Sequence, residues 1–182
     1  MDRALLPSMR RRRLLAAAAL LPVVRGVPAE TASAYGLALR FVDDRGQPRE
    51  LAEWRGRPVV ITMAYGACRS VCTTTLRTLD ALQAAADRRS IALDFVIASI
   101  DPAEDTPQAW ADYRRARGLM RANWTFLSGT PAATRVLAHF LGIRVWRYDE
   151  HVMHDMRIVR LGPDGAPGPS LDWQQRDVER LL

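Results

Sequence analysis

The chain contains no lysine: all 26 of its Lys/Arg positions are arginine. It has only two cysteines, three histidines and four phenylalanines in 182 residues. Two cysteines exclude a disulfide-built scaffold, since such folds need several bridges. The scarcity of histidine leaves few imidazoles for any metal site. No apolar run reaches the roughly 20 residues of a membrane-spanning helix. Acidic residues do not match the arginines, and the net charge of +6 would ordinarily point towards nucleic acid. The distribution argues otherwise. Residues 1–34 hold six arginines and two acids, a net of +4, whereas the remaining 148 residues hold 20 arginines and 18 acids. No basic face dedicated to phosphate follows from that mixture, and no nucleic-acid partner is expected. Hydrophobic residues at 48% and charged residues at 25% are the composition of one globular domain of ordinary size.

The basic N-terminus reads as an export signal. Arg10 to Arg13 precede the apolar run Leu14–Val24, and Ala32-Ser33-Ala34 forms a small-residue cleavage site. Residues 1–34 are therefore expected to be a signal peptide or, if uncleaved, a membrane anchor, with a single domain over 35–182. This places the protein in the bacterial periplasm, soluble or tethered to the inner membrane, where thiols meet an oxidising milieu.

Beyond the signal, Gly36–Asp43 and the turn Asp44-Arg45-Gly46-Gln47 predict an N-terminal hairpin. Pro58–Ala64 predicts a buried strand, and Leu76, Leu79, Leu82 and Ala86 mark one face of a helix. A second buried strand is predicted over Leu93–Ile100. Thr106 and Thr130 are placed as N-caps of two helices, each with proline next, running to Gly118 and Gly142. Trp124–Leu127, Ile143–Tyr148 and Met156–Leu161 read as strands, with residues 149–155 as a loop between the last two. Pro163-Asp164-Gly165 is a turn; no strand is expected after it, and Ser170 would cap a final helix over Leu171–Leu181. Alternating strands and helices predict an α/β fold, a central mixed sheet covered on both faces, with the hairpin as an extension.

Both cysteines lie in Tyr65-Gly66-Ala67-Cys68-Arg69-Ser70-Val71-Cys72, where a buried strand hands over to a helix. Three readings are open. A structural disulfide closing so short a loop restrains little chain entropy. A thiol–disulfide exchange site is favoured by the helix N-terminus and Arg69, though such sites usually have two intervening residues. A metal site is favoured because positions four apart share a helical face, but two thiolates leave a soft ion under-coordinated and call for a third ligand. His151 and His154, ahead of a strand, are the candidates. His139 reads as a partly buried packing residue on a helix. Met153 and Met156 flank His154 but are read as core.

The chain resembles the Sco/SenC family of exported, thioredoxin-fold copper proteins that help assemble cytochrome c oxidase. Three landmarks in order carry the resemblance: Tyr65-Gly66-Ala67-Cys68-Arg69-Ser70-Val71-Cys72-Thr73-Thr74-Thr75-Leu76, Asp101-Pro102-Ala103-Glu104-Asp105-Thr106-Pro107, and Val152-Met153-His154-Asp155 followed by Pro163-Asp164-Gly165. The resemblance implies a thioredoxin-like fold and a copper site made by Cys68, Cys72 and His154, with Asp101 in a neighbouring loop close to the cysteines. It implies as partner a copper-receiving oxidase subunit or another copper or thiol protein. Arg69 and Thr73 stand where the family has prolines, and Ser70 where it often has aspartate. The alternative function is a periplasmic thiol–disulfide oxidoreductase using Cys68 and Cys72.

Overall fold

In the computed structural model the described residues are 33–67, 71–149 and 151–182, and for Val71 and Cys72 only the backbone is described. The expected signal segment 1–34 therefore lies outside them up to residue 32. Among the described residues no helix is long and apolar enough to cross a membrane.

Among the described residues nine strands and three helices follow one another as β1 Arg40–Asp43, β2 Pro48–Glu50, β3 Val59–Ala64, α1 Val71–Arg88, β4 Asp94–Ser99, α2 Pro107–Arg117, β5 Trp124–Gly129, α3 Pro131–Leu141, β6 Val145–Tyr148, β7 His151–His154, β8 Ile158–Leu161 and β9 Pro167–Leu171. Seven strands form one sheet in the order β2-β1-β5-β4-β3-β8-β9. Within it β3, β4 and β5 run parallel, while β1, β8 and β9 pair antiparallel to their neighbours. The central strands are mostly apolar and buried, as suits strands covered by helices on both faces.

The period of two along each strand sorts the core. Val59, Ile61, Met63, Val96, Ala98 and Leu127 face α3, which offers Leu137, Ala138 and Leu141. The alternate residues Val60, Phe95, Ile97, Trp124 and Phe126 face Leu79, Leu82 and Ala86 of α1 and Trp110 of α2. Phe95 stacks on Trp124 with ring centroids 5.0 Å apart.

Local chemistry sets the element ends as expected. Thr106 and Thr130 accept the N–H of Ala109 and Ala133, and each helix has proline in its first turn. Gly118 and Gly142 end these helices in the left-handed region, at φ 67° and 66°. The N-terminal hairpin forms around Asp43, whose carboxylate accepts the N–H groups of Arg45 and Gln47.

Four expectations need correction. The C-terminal segment is not a helix: Pro167–Leu171 is a strand at the sheet edge, followed by a turn at Asp172 and a short 3-10 turn, Val178–Leu181. Leu171 and Leu181, the two ends of the expected helix, sit in one core cluster from two separate elements. The same strand corrects the expectation that none follows Gly165. Within the expected loop 149–155, His151–His154 is a strand that pairs with β6 in a separate two-stranded sheet. Asp149, directly after β6, takes φ 50°, and no Asn-Gly or Asp-Gly pair flags a turn there in the sequence. Finally, His139 is exposed on α3 rather than packed.

Candidate metal centre

Parallel strands bring successive loops to one edge of the sheet. Beyond the ends of β3, β4 and β5 lie the cysteine segment, the Asp101–Thr106 loop and the cap of α3. Antiparallel β8 begins at that same edge, with Ile158 paired to Thr62 and Leu161 paired to Val59. The segment just before β8 is therefore carried to the end of β3, and this is where His154 lies. Thr62 Oγ1 donates to the Arg157 carbonyl at 2.7 Å, pinning the junction.

Tyr65, the first residue beyond β3, ties the two halves together. Its hydroxyl donates to the Val152 carbonyl at 2.8 Å. Its ring meets His154 edge-to-face, with centroids 5.9 Å apart. One side chain thus holds the histidine strand against the residue three positions before Cys68.

His154 is 3% exposed. Its Nδ1 lies 2.9 Å from the carbonyl oxygen of Asp155. A carbonyl only accepts, so Nδ1 carries the proton, and in the neutral ring the lone pair belongs to Nε2. This is the arrangement in which a second contact fixes the tautomer and orientation of a metal-ligating imidazole. Asp155 is itself held by Arg144, which donates to its carboxylate from Nε at 2.8 Å and from a terminal nitrogen at 3.0 Å. These charge-assisted bonds keep the Asp155 carboxyl below the usual carboxylate range.

The pairing of β6 with β7 separates the other candidates. Val145 opposes His154 and Tyr148 opposes His151. Residues alternate faces along a strand, so His154 and Val152 share one face, while His151 and Met153 take the other. Met156 is core, 1% exposed among Ile158 and Leu171.

The Asp101–Thr106 loop reaches the cysteine segment through Asp105. Asp105 Oδ1 accepts the N–H of Gly66 at 2.8 Å, and Oδ2 accepts the Ser99 hydroxyl at 2.6 Å. A Cβ at Gly66 would sit 3.1 Å from Oδ1, so glycine lets the backbone settle on the carboxylate. Burial pushes the Asp105 pKa up to about 6, helped by the nearby charges of Asp101 and Glu104 and opposed by the two hydrogen bonds. Asp101, expected to approach the cysteines, makes a turn through its carbonyl and lines a groove against α3. Tyr65 and Asp105 both lie inside the sequence landmarks, yet neither is expected from the sequence to act at the site. The signal was their position: one beside the cysteines, the other in the Asp-Thr-Pro run read only as a helix start.

Cys68, with Arg69 and Ser70, lies outside the described residues. Cys72 belongs to the first turn of α1, where backbone N–H groups lack helical partners and the macrodipole is positive. Among the described residues no group of three His, Cys, Asp or Glu side chains could hold a metal ion. Two thiolates and one imidazole form a soft donor set suited to Cu(I).

The profile of the SCO1/SenC family matches residues 27–181. A "Putative copper-binding protein" of Stutzerimonas stutzeri is 31% identical over 176 residues, covering 90% of this chain and 80% of its own. Among solved structures, copper-bound ScoI of Arabidopsis thaliana superposes with a TM-score of 0.68 at 18% identity, covering 79% of this chain and 90% of that one. Copper-bound ScoI of Bradyrhizobium japonicum gives 0.65 at 21% identity, covering 79% and 97%. These structures share the thioredoxin-like fold described above. With a matched profile spanning nearly the whole of the described domain, the chain belongs to the SCO1/SenC family.

Proposed function

We propose that this protein is an exported copper-binding chaperone, that it assists assembly of the copper centre of a respiratory oxidase, and that Cys68, Cys72 and His154 hold the ion as cargo. The observation that carries the reading is the state of His154: a buried imidazole, oriented through Nδ1, on a strand tethered by Tyr65 to the segment leading into the cysteines. Three peptide units separate Tyr65 from Cys68, and three units span at most about 11 Å. The copper-binding relative and the copper-bound structures support the choice of metal. The arginine-led apolar N-terminus supports export to the periplasm, with membrane attachment only through that segment.

Competition titration of the reduced full chain against a Cu(I) chelator tests this. Wild type should bind one Cu(I). Cys68→Ser and Cys72→Ser should abolish tight binding, and His154→Ala should weaken it at least about 100-fold while the far-ultraviolet dichroism stays native. If the reduced wild type takes up no Cu(I) tightly while its dithiol exchanges with a model disulfide, and His154→Ala leaves that exchange unchanged, the protein is an oxidoreductase and the copper reading is wrong; Cu(I) binding unchanged in His154→Ala would remove that histidine from the site.

A further inference from the structure

The edges of the main sheet are guarded against pairing with other chains. At one end β2 begins with Pro48, and at the other β9 contains Pro167 and Pro169. Proline lacks the N–H that an added strand would need, and such residues are a standard protection of sheet edges. The small sheet has no such guard on β6. Val145-Trp146-Arg147-Tyr148 pairs with β7 on one side only, and among the described residues nothing pairs with its outer edge. All four residues are exposed, Trp146 at 44% and Tyr148 at 68%. In a two-stranded antiparallel ribbon, alternate residues direct their N–H and C=O groups away from the partner.

Beside this edge runs an open groove of about 570 Å³ between β6, α3 and the loop after β4. Its apolar lining includes Ile100, Ala138 and Val145, and among the described residues its arginines are Arg135, Arg144 and Arg147, with Asp101 as the one carboxylate. Arg144 is engaged by Asp155. Among the described residues Arg135 and Arg147 have no acidic partner, while other arginines such as Arg49, Arg57 and Arg121 do.

We infer that the outer edge of β6 and the adjoining arginine-lined groove receive an extended, acidic segment of a partner protein by strand addition. Backbone groups of the edge supply pairing, Arg135 and Arg147 supply charge complementarity, and Trp146 and Tyr148 supply apolar contact on the opposite face. Because β7 carries His154, a partner seated here comes to lie beside the proposed copper site. The inference deepens the copper-chaperone reading and rests on it only for the partner being the recipient of the metal. A single-stranded nucleic acid could also use arginines and aromatic rings, but it would have no use for unpaired strand backbone.

The test is a nitrogen-15 chemical-shift titration of the metal-free full chain with an alternating Glu-Val heptapeptide. Because copper is absent, the result is readable whether or not the copper reading survives. Saturable shifts should centre on residues 143–148 and the groove. The double variant Arg135→Glu/Arg147→Glu should weaken binding by about tenfold or more. Methylating the backbone nitrogens on one edge of the peptide should abolish binding, while methylating the other edge should not. Equal shifts with a Lys-Val heptapeptide, stronger shifts at the same residues with a thymidine decanucleotide, indifference to methylation on either edge, or a dimer of the free protein through β6 would each overturn the proposal.

Discussion

At an imidazole that ligates a metal, the donor atom is decided by what the other ring nitrogen touches. In His154 the Nδ1 side meets the next residue's own backbone carbonyl, so the proposed ligand and its orienting group are adjacent in sequence. Asp105 shows a different kind of residue-level constraint. Its folded pKa of about 6 stands above the ordinary 3.8 because burial disfavours the charge. The folded state thus binds this proton more tightly than the unfolded chain. The stabilisation this provides is complete below 3.8 and is lost as pH rises through 6. Asparagine keeps an acceptor for Gly66 and a partner for Ser99 without the charge. Asp105→Asn should therefore be more stable than wild type at neutral pH by about 3 kcal/mol or somewhat less, and the gap should close below pH 4. Urea unfolding at the two pH values reads this directly; a wild type more stable than the variant at neutral pH would contradict it.

At the level of elements, the site depends on how β3 and β7 are joined. Tyr65→Phe removes the hydroxyl that donates to Val152 and keeps the ring against His154. It should cost about 1 kcal/mol of stability. It should also lower Cu(I) affinity by about tenfold at unchanged stoichiometry, because the orienting support of the histidine strand is loosened. Chelator competition and thermal unfolding of the same samples separate the two effects. Legibility in the sequence followed local chemistry at this scale. The helices at Pro107 and Pro131 were readable because a threonine cap, an N-terminal proline and a closing glycine each act within one turn. β6 is legible within the expected strand Ile143–Tyr148, but β7 and its pairing are not, because no glycine follows Asp149 to flag a tight turn and His151–His154 holds no consistent alternation of apolar residues. β9 was hidden for a related reason: Pro-Gly-Pro reads as a breaker, and only its place at a sheet edge makes it compatible with a strand.

Across the whole molecule, the sheet order joins landmarks far apart in the chain: β3 and β8 are neighbours although α1 to β7 lie between them. The alternating pattern of strands and helices made the layered architecture legible, and the family landmarks named the three ligand candidates. What the sequence could not supply was the long-range partner of each group, such as Asp105 for Gly66 or Asp44 for Arg114. That last pair is nearly inaccessible to solvent, at 8% and 4% side-chain exposure, with 2.5 Å between charged atoms. Arg114 also donates to the Leu119 and Arg121 carbonyls, so it holds α2, the loop before β5 and the residue after β1 together. Asp44→Ala should cost about 3–5 kcal/mol, since it strands a buried guanidinium, and equilibrium unfolding in urea should show it. Whether Cys68, Cys72 and His154 meet at one ion is read most directly by copper K-edge absorption of the reduced, singly loaded full chain. Wild type should show two sulfur scatterers and one nitrogen, and the nitrogen should vanish in His154→Ala; identical spectra from the two proteins would contradict the account.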